Sequence, residues 1–285
     1  MGVKAYIPYP KYVSISITGI SCSLNCRYCN KEYLKHMYQA LTPQRLYWLL
    51  KHLYNNGVRG FLISGGFTPE GKLPFHTYLS VIREFKRIHE VVISIHPGLV
   101  DVNEARMLRE AKIDIVDLEF TLNPTYTSIV KGLGEKAIKK YEETLNALIR
   151  HGPPYIAPHV MIGSSLGLLG NEFSEIDYLI DYDPYVIVVL IYTPTRNTAS
   201  ENDPIPKVNY VLNVLRCLRQ RYGGEISLGC MRPWGSYRME LDKMALDNKL
   251  IDRIANPQLK LIKEYNLRVI NACCSLPREY EYLFT

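Results

Sequence analysis

The 285-residue chain carries 34 Lys and Arg against 28 Asp and Glu, a formal net charge of +6, and is 47% hydrophobic and 22% charged. That length and apolar content suffice for one large core with at most an appendage, and the lack of any block of like charge argues against a nucleic-acid partner. The sequence shows no charged-then-apolar leader, and its longest uncharged apolar run, 185–192, is far too short to cross a bilayer, so a cytoplasmic protein without a membrane partner is expected.

In chain order, the hydrophobic periods predict a strand at 12–18, a helix at 42–55, a strand at 60–64, a helix at 76–88, a strand at 91–95 and a helix at 103–109. A strand at 113–120, a helix at 135–151, a strand at 155–162, a helix at 172–180, a strand at 185–192, a helix at 206–222 and a strand at 225–229 follow. Thr42 before Pro43 is a good helix start, and Asn56-Gly57 a good stop. Strand and helix in regular alternation predict βαβ units, hence an α/β fold with a parallel sheet. The expected architecture is a TIM-like (β/α) barrel with a six-stranded core over 1–239, including a loop at 20–30. The segment 240–285, with further runs at 251–255 and 267–272 around a helix at 257–265, closes it to eight strands or caps it.

Working residues of such barrels gather at the C-terminal ends of the strands. There the sequence puts Cys22, Cys26 and Cys29, then Gly65-Gly66, His96, Glu119, Gly163 and Cys230. Seven cysteines are an odd number, and three of them stand as C-x₃-C-x₂-C, which argues for metal use in a reducing compartment. A [4Fe–4S] cube has four irons, so three thiolates leave one iron open for something other than protein. A structural zinc with a fourth ligand from elsewhere is the bland alternative, although zinc motifs usually come as C-x₂-C pairs.

The triplet, with aromatic Tyr28 before its third cysteine and Ser64-Gly65-Gly66 after the next strand, resembles the radical SAM superfamily. The resemblance implies a cluster whose open iron binds S-adenosylmethionine, and reductive cleavage to a 5′-deoxyadenosyl radical. It also implies cofactor contacts from Tyr28, Ser64, Gly65 and Gly66, although Phe67 stands where the superfamily has glutamate. Glu119 is implied at the ribose or ammonium, Ile162 and Gly163 beside the adenine; Glu119 reads equally as a salt-bridged residue. His96 and His159 read as satisfied polar residues near the rim or as catalytic ones.

Of the other four cysteines, Cys217 lies among leucines and reads as core. Cys230, Cys273 and Cys274 are the candidate ligands of a second iron–sulfur cluster, with Ser275 or Arg232 as a fourth. Both adjacent thiols reach one metal only if the strand has broken there; an ordinary pair or a vicinal disulfide is the alternative. Together with Ile95-His96-Pro97-Gly98-Leu99-Val100 and Gly229-Cys230-Met231-Arg232-Pro233, the pattern is similar to an archaeal radical SAM family that includes one subunit of two-component lipoyl synthases. That likeness implies sulfur insertion into an octanoyl chain on a lipoyl-carrier protein or peptide, a sister radical SAM subunit, and a reducing protein such as ferredoxin. An electron-conducting second cluster, or a non-catalytic iron–sulfur or zinc protein, are the competing readings.

Overall fold

The chain is described here by a computed structural model covering residues 2–168 and 170–285. Its strands are β1 (Lys4–Tyr6), β2 (Tyr12–Ser16), β3 (Tyr38–Gln39), β4 (Gly60–Ser64), β5 (Val92–Ile95), β6 (Ile115–Glu119), β7 (Tyr155–Ile162), β8 (Val186–Ile191), β9 (Glu225–Leu228), β10 (Arg253–Ala255) and β11 (Arg268–Ile270). They form one all-parallel sheet in the order β11-β1-β10-β9-β8-β7-β6-β5-β4-β2-β3. The helices are α1 (Pro43–Asn55), α2 (Leu79–Ile88), α3 (Val102–Glu110), α4 (Ala137–His151), α5 (Glu172–Ile180), α6 (Val208–Arg221), α7 (Ser236–Asp247) and α8 (Leu259–Glu264). The parallel α/β barrel-type sheet is therefore as expected, with β2 and β4 to β8 as its continuous core.

Local chemistry accounts for the elements. Thr42 Oγ1 accepts from the Arg45 amide at 3.1 Å, with Pro43 at the first helical position of α1. Asp101 and Glu104 close a reciprocal capping box on α3. The strands are apolar on both faces, Val92–Ile95 being wholly buried, because one face meets the helices and the other the barrel lumen. No helix among the described residues is long and apolar enough to cross a membrane.

Residues 240–285 add β10 and β11 to the same sheet, and β1 slots between these two. The ladder nevertheless keeps two edges, β3 and β11. The chain beyond β11 turns inward: Cys274, Leu276 and Phe284 pack with Tyr12, Val92, Ile115, Ala157 and Val186, and so fill the lumen at the N-terminal ends of the strands. Short turns hold this floor through Glu281, which accepts from Lys4 Nζ at 2.7 Å and from the Tyr6 hydroxyl at 3.0 Å.

Candidate functional site

The opposite, C-terminal end of the barrel carries the cysteine loop. Cys26 is buried among Leu24, Tyr28, Tyr126, Val130, Met161 and Tyr192, with Cys22 and Cys29 half-buried at the edge of that group. The backbone winds tightly, the Cys29 and Asn30 amides both donating to Cys26 O at 3.0 Å, and then passes through left-handed Asn30 and Lys31. Burial pushes the Cys26 thiol up to about 11 and raises that of Cys29. Metal binding there therefore releases protons.

Backbone and side-chain contacts fix the loop. The Phe67 amide donates to Cys22 Sγ at 3.2 Å, and the Ser23 amide to Phe67 O at 2.8 Å. The Arg27 amide donates to Val130 O, at the end of a π-turn over Tyr126–Val130. The Arg27 guanidinium grips Asp203 through two bonds of 2.8 and 2.7 Å, and Asp203 also accepts from the Tyr192 hydroxyl at 2.6 Å. Arg27 holds the Asp203 carboxyl below its ordinary value. Neither residue was singled out from the sequence; Arg27 lies inside the motif, but its partner is 176 residues away. Tyr28 stacks on Tyr126 with ring centroids 6.4 Å apart, and their hydroxyls meet at 3.2 Å.

The glycine turn touches this loop directly. A Cβ on Gly66 would lie 2.0 Å from Ser21 O and 2.5 Å from Cys22 Cα, so only glycine permits the approach. The Gly66 amide donates to Thr18 Oγ1 at 2.6 Å, and buried Ser64 accepts the Ile17 amide on its carbonyl. A Cβ on Gly65 would meet Thr18 Oγ1 at 2.8 Å. Glu119 pairs with Lys131 at 2.7 Å, the salt-bridged alternative, in the same mouth. Lys131 lies against Phe67 and Tyr126. Gly163, at φ +80°, donates its amide to buried Glu172 at 2.6 Å. Ile162 belongs to the main apolar core, whereas Met161, alternating with it on β7, joins the apolar group around the cysteine loop.

The second thiol set is only partly assembled. The strand does break before it, β11 ending at Ile270. Cys230 is exposed at the end of β9, Cys273 is half-buried, and Cys274 is buried in the floor. Hydrogen bonds from Cys274 and Ser275 hold the Cys273 thiol below its ordinary value, Ser275 Oγ standing 3.3 Å from its sulfur. Desolvation by the surrounding protein and, after it, the charge of Cys273 raise the Cys230 thiol. Arg232, considered as a fourth ligand, is instead a buried strut: it makes a two-bond ion pair to Asp242 at 2.7 and 2.9 Å and donates to Ala255 O.

Between the two sets, in the lumen, lie His96, Asp117 and His159. Among the described residues they are the only three metal-ligating side chains whose donor atoms all fall within 4.8 Å of one another. Asp117 escaped the sequence reading, although a carboxylate in the middle of the apolar run 113–120, two residues before Glu119 and so on the same strand face, was a visible signal.

Residues 16–182 of the chain match the radical SAM superfamily. The chain belongs to that superfamily. Membership implies a [4Fe–4S] cluster and S-adenosylmethionine, and the donor set fits them: three thiols in an apolar shell, one already accepting an amide N–H. Among solved structures, the chain is similar to methylornithine synthase (PylB), at 15% identity and TM-score 0.57 over 90% of this chain and 73% of that one. It is also similar to HydG, a maturase of the [FeFe]-hydrogenase, at 14% identity and TM-score 0.66 over 95% and 64%. A third is SuiB of Streptococcus suis bound to S-adenosylmethionine, at 13% identity and TM-score 0.55 over 88% and 51%. The chain thus spans about two thirds of HydG and half of SuiB, and at these identities the likeness concerns the radical SAM fold alone. No curated protein matches the chain.

Proposed function

We propose that this radical SAM enzyme inserts sulfur into an octanoyl chain on an acidic lipoyl-carrier protein, working in the cytoplasm with a sister radical SAM subunit and a ferredoxin-type reductant. Cys22, Cys26 and Cys29 serve as ligands of the open-iron cluster; Cys230, Cys273 and Cys274 serve an auxiliary one. The observation that carries the reading is the presence, in one barrel, of a cysteine triplet set in an apolar shell at the mouth and of a further thiol pair, Cys273 and Cys274, at the lumen floor. When bound, the first cluster and S-adenosylmethionine supply a radical able to take hydrogen from an unactivated C–H bond.

The chain's own residues prepare the rest. Met161, Leu190 and Met231 line the loop side of the lumen with apolar surface that suits an alkyl chain and excludes water. Gly65 and Gly66 leave backbone open beside the loop, and Glu119, held by Lys131, offers an acceptor to the cofactor's hydroxyls or ammonium. The formal charge of +6 favours encounter with an acidic carrier.

Anaerobic reconstitution should load about eight irons per chain, two cubes' worth. Incubated with S-adenosylmethionine, dithionite and an octanoylated carrier peptide, with and without the sister subunit, the enzyme should release 5′-deoxyadenosine and leave the peptide heavier by sulfur in place of hydrogen. Cys273→Ala with Cys274→Ala should abolish the sulfur gain and spare cofactor cleavage. Cleavage without sulfur gain in every combination overturns the sulfur-insertion reading, and no cleavage at all overturns the assignment of the triplet.

A further inference from the structure

The lumen group has features that neither thiol set explains. His96 follows β5, Asp117 lies on β6 and His159 on β7, so three neighbouring strands each deliver one donor to one point. Asp117 is 2% exposed, and among the described residues neither of its carboxylate oxygens has a hydrogen-bond partner. An orphaned buried carboxylate costs several kcal/mol unless a cation or a donor answers it. Its nearest charged-type neighbour is His96, whose Nε2 stands 3.9 Å from Asp117 Oδ2, beyond hydrogen-bond reach.

The histidines are oriented for lone-pair donation. His159 Nδ1 sits 2.9 Å from Ala157 O. A carbonyl only accepts, so Nδ1 carries the proton and Nε2 is left with a free lone pair. A ring nitrogen donating to a backbone carbonyl while its partner faces a metal is the usual support of a metal-bound histidine. The two rings meet edge to face with centroids 6.1 Å apart, so their planes do not stack and leave a gap between them. In a tetrahedral site with bonds of about 2.0–2.2 Å, neighbouring donor atoms stand roughly 3.4 Å apart. The three donors, within 4.8 Å of one another and 3.9 Å apart for His96 and Asp117, would draw together on an ion by side-chain rotation, and His96 is half-exposed.

We propose that His96, Asp117 and His159 bind a single divalent transition-metal ion, Fe²⁺ or Zn²⁺, in the barrel lumen. Two imidazoles and one carboxylate are the donor set of open, substrate-accepting sites for both ions. The ion is distinct from both iron–sulfur clusters and does not depend on the sulfur-insertion reading.

The test uses the full chain in two forms. Reconstituted wild-type protein loaded with one equivalent of Zn²⁺ should give a zinc X-ray absorption spectrum with a nitrogen and oxygen shell near 2.0 Å; a shell dominated by sulfur near 2.3 Å overturns the proposal. The variant Cys22→Ala/Cys26→Ala/Cys29→Ala, stripped by chelator under argon, should bind about one equivalent of Co²⁺ with visible d–d bands, and compete it for Fe²⁺ and Zn²⁺. Adding His96→Gln and His159→Gln, with circular dichroism unchanged, should weaken Co²⁺ binding roughly a hundredfold or more. Binding that survives those changes, or none in the folded parent, overturns it.

Discussion

At the scale of single residues, the site is defined as much by what is missing as by what is present. Gly66 has no side chain because the backbone of Ser21 and Cys22 occupies the place where one would begin. Any larger residue must push backbone rather than a flexible side-chain end, and the backbone it pushes carries Cys22. Gly66→Ala is therefore expected to leave the barrel folded, with a native far-ultraviolet spectrum, while iron retained by the cysteine loop after anaerobic gel filtration falls severalfold. Gly57→Ala, at a position where a Cβ meets nothing within 4 Å, serves as the control for glycine loss itself, since its φ of +91° carries backbone strain without a clash. Equal iron retention in the two variants would count against the close-approach explanation. The cysteine motif and the glycine turn were readable in the sequence because each is a local pattern. Arg27–Asp203 was not, because nothing local marks Asp203 as the partner that neutralises a guanidinium in the motif. Asp117 lay between: its oddity in an apolar strand was legible, its company was not.

At the scale of elements, the joint between β6 and α5 stores a pH dependence. Glu175, fully buried on α5, accepts from Thr121 Oγ1 at 2.7 Å and from the Leu122 amide at 2.9 Å with one oxygen, while its other oxygen has no partner among the described residues. Burial pushes its carboxyl up from 4.5 to about 7. Between those values the folded chain holds a proton that the unfolded chain has released, so stability falls as pH rises through that window. The full span corresponds to a loss on the order of 3 kcal/mol. Glu175→Gln, which mimics the protonated carboxyl, should flatten the dependence of the urea midpoint between pH 4.5 and pH 7 and raise it at neutral pH. A midpoint whose slope is unchanged in the variant would assign the effect elsewhere. Helix ends and strand cores in this region follow the local signals closely, α5 and β7 coinciding with their predicted spans. The shortest elements do not: β1 and β3, of three and two residues, have too few alternations to stand out from loop.

At the scale of the whole molecule, the two ends of the chain meet under the barrel and decide how the sheet is completed. β1 is paired on both sides, to β10 and to β11, so the first strand in sequence joins the last two. Hydrophobic period shows that a strand exists but not which distant strand it pairs with, and this insertion was invisible for that reason. The floor built on it draws on the starts of β1, β2 and β5 to β9. Glu281 binds Lys4 and Tyr6, Arg278 binds Glu225, the Tyr282 hydroxyl donates to Glu90, and Phe284 packs on Tyr12 with ring centroids 5.7 Å apart. Phe284 is wholly buried, in the same apolar group as Cys274 and Leu276. Emptying its place should cost about 3–5 kcal/mol, the range for a deleted core aromatic. Phe284→Ala is thus expected to lower the urea midpoint with little change in the slope of the transition, and to open Cys274 to alkylation in the native state, because the two side chains share that packing. Mass spectrometry of briefly alkylated protein reads the second effect separately from the first. If the midpoint drops while Cys274 stays protected, the floor is not one cooperative unit, and the lumen thiols are held by β11 and its turn alone.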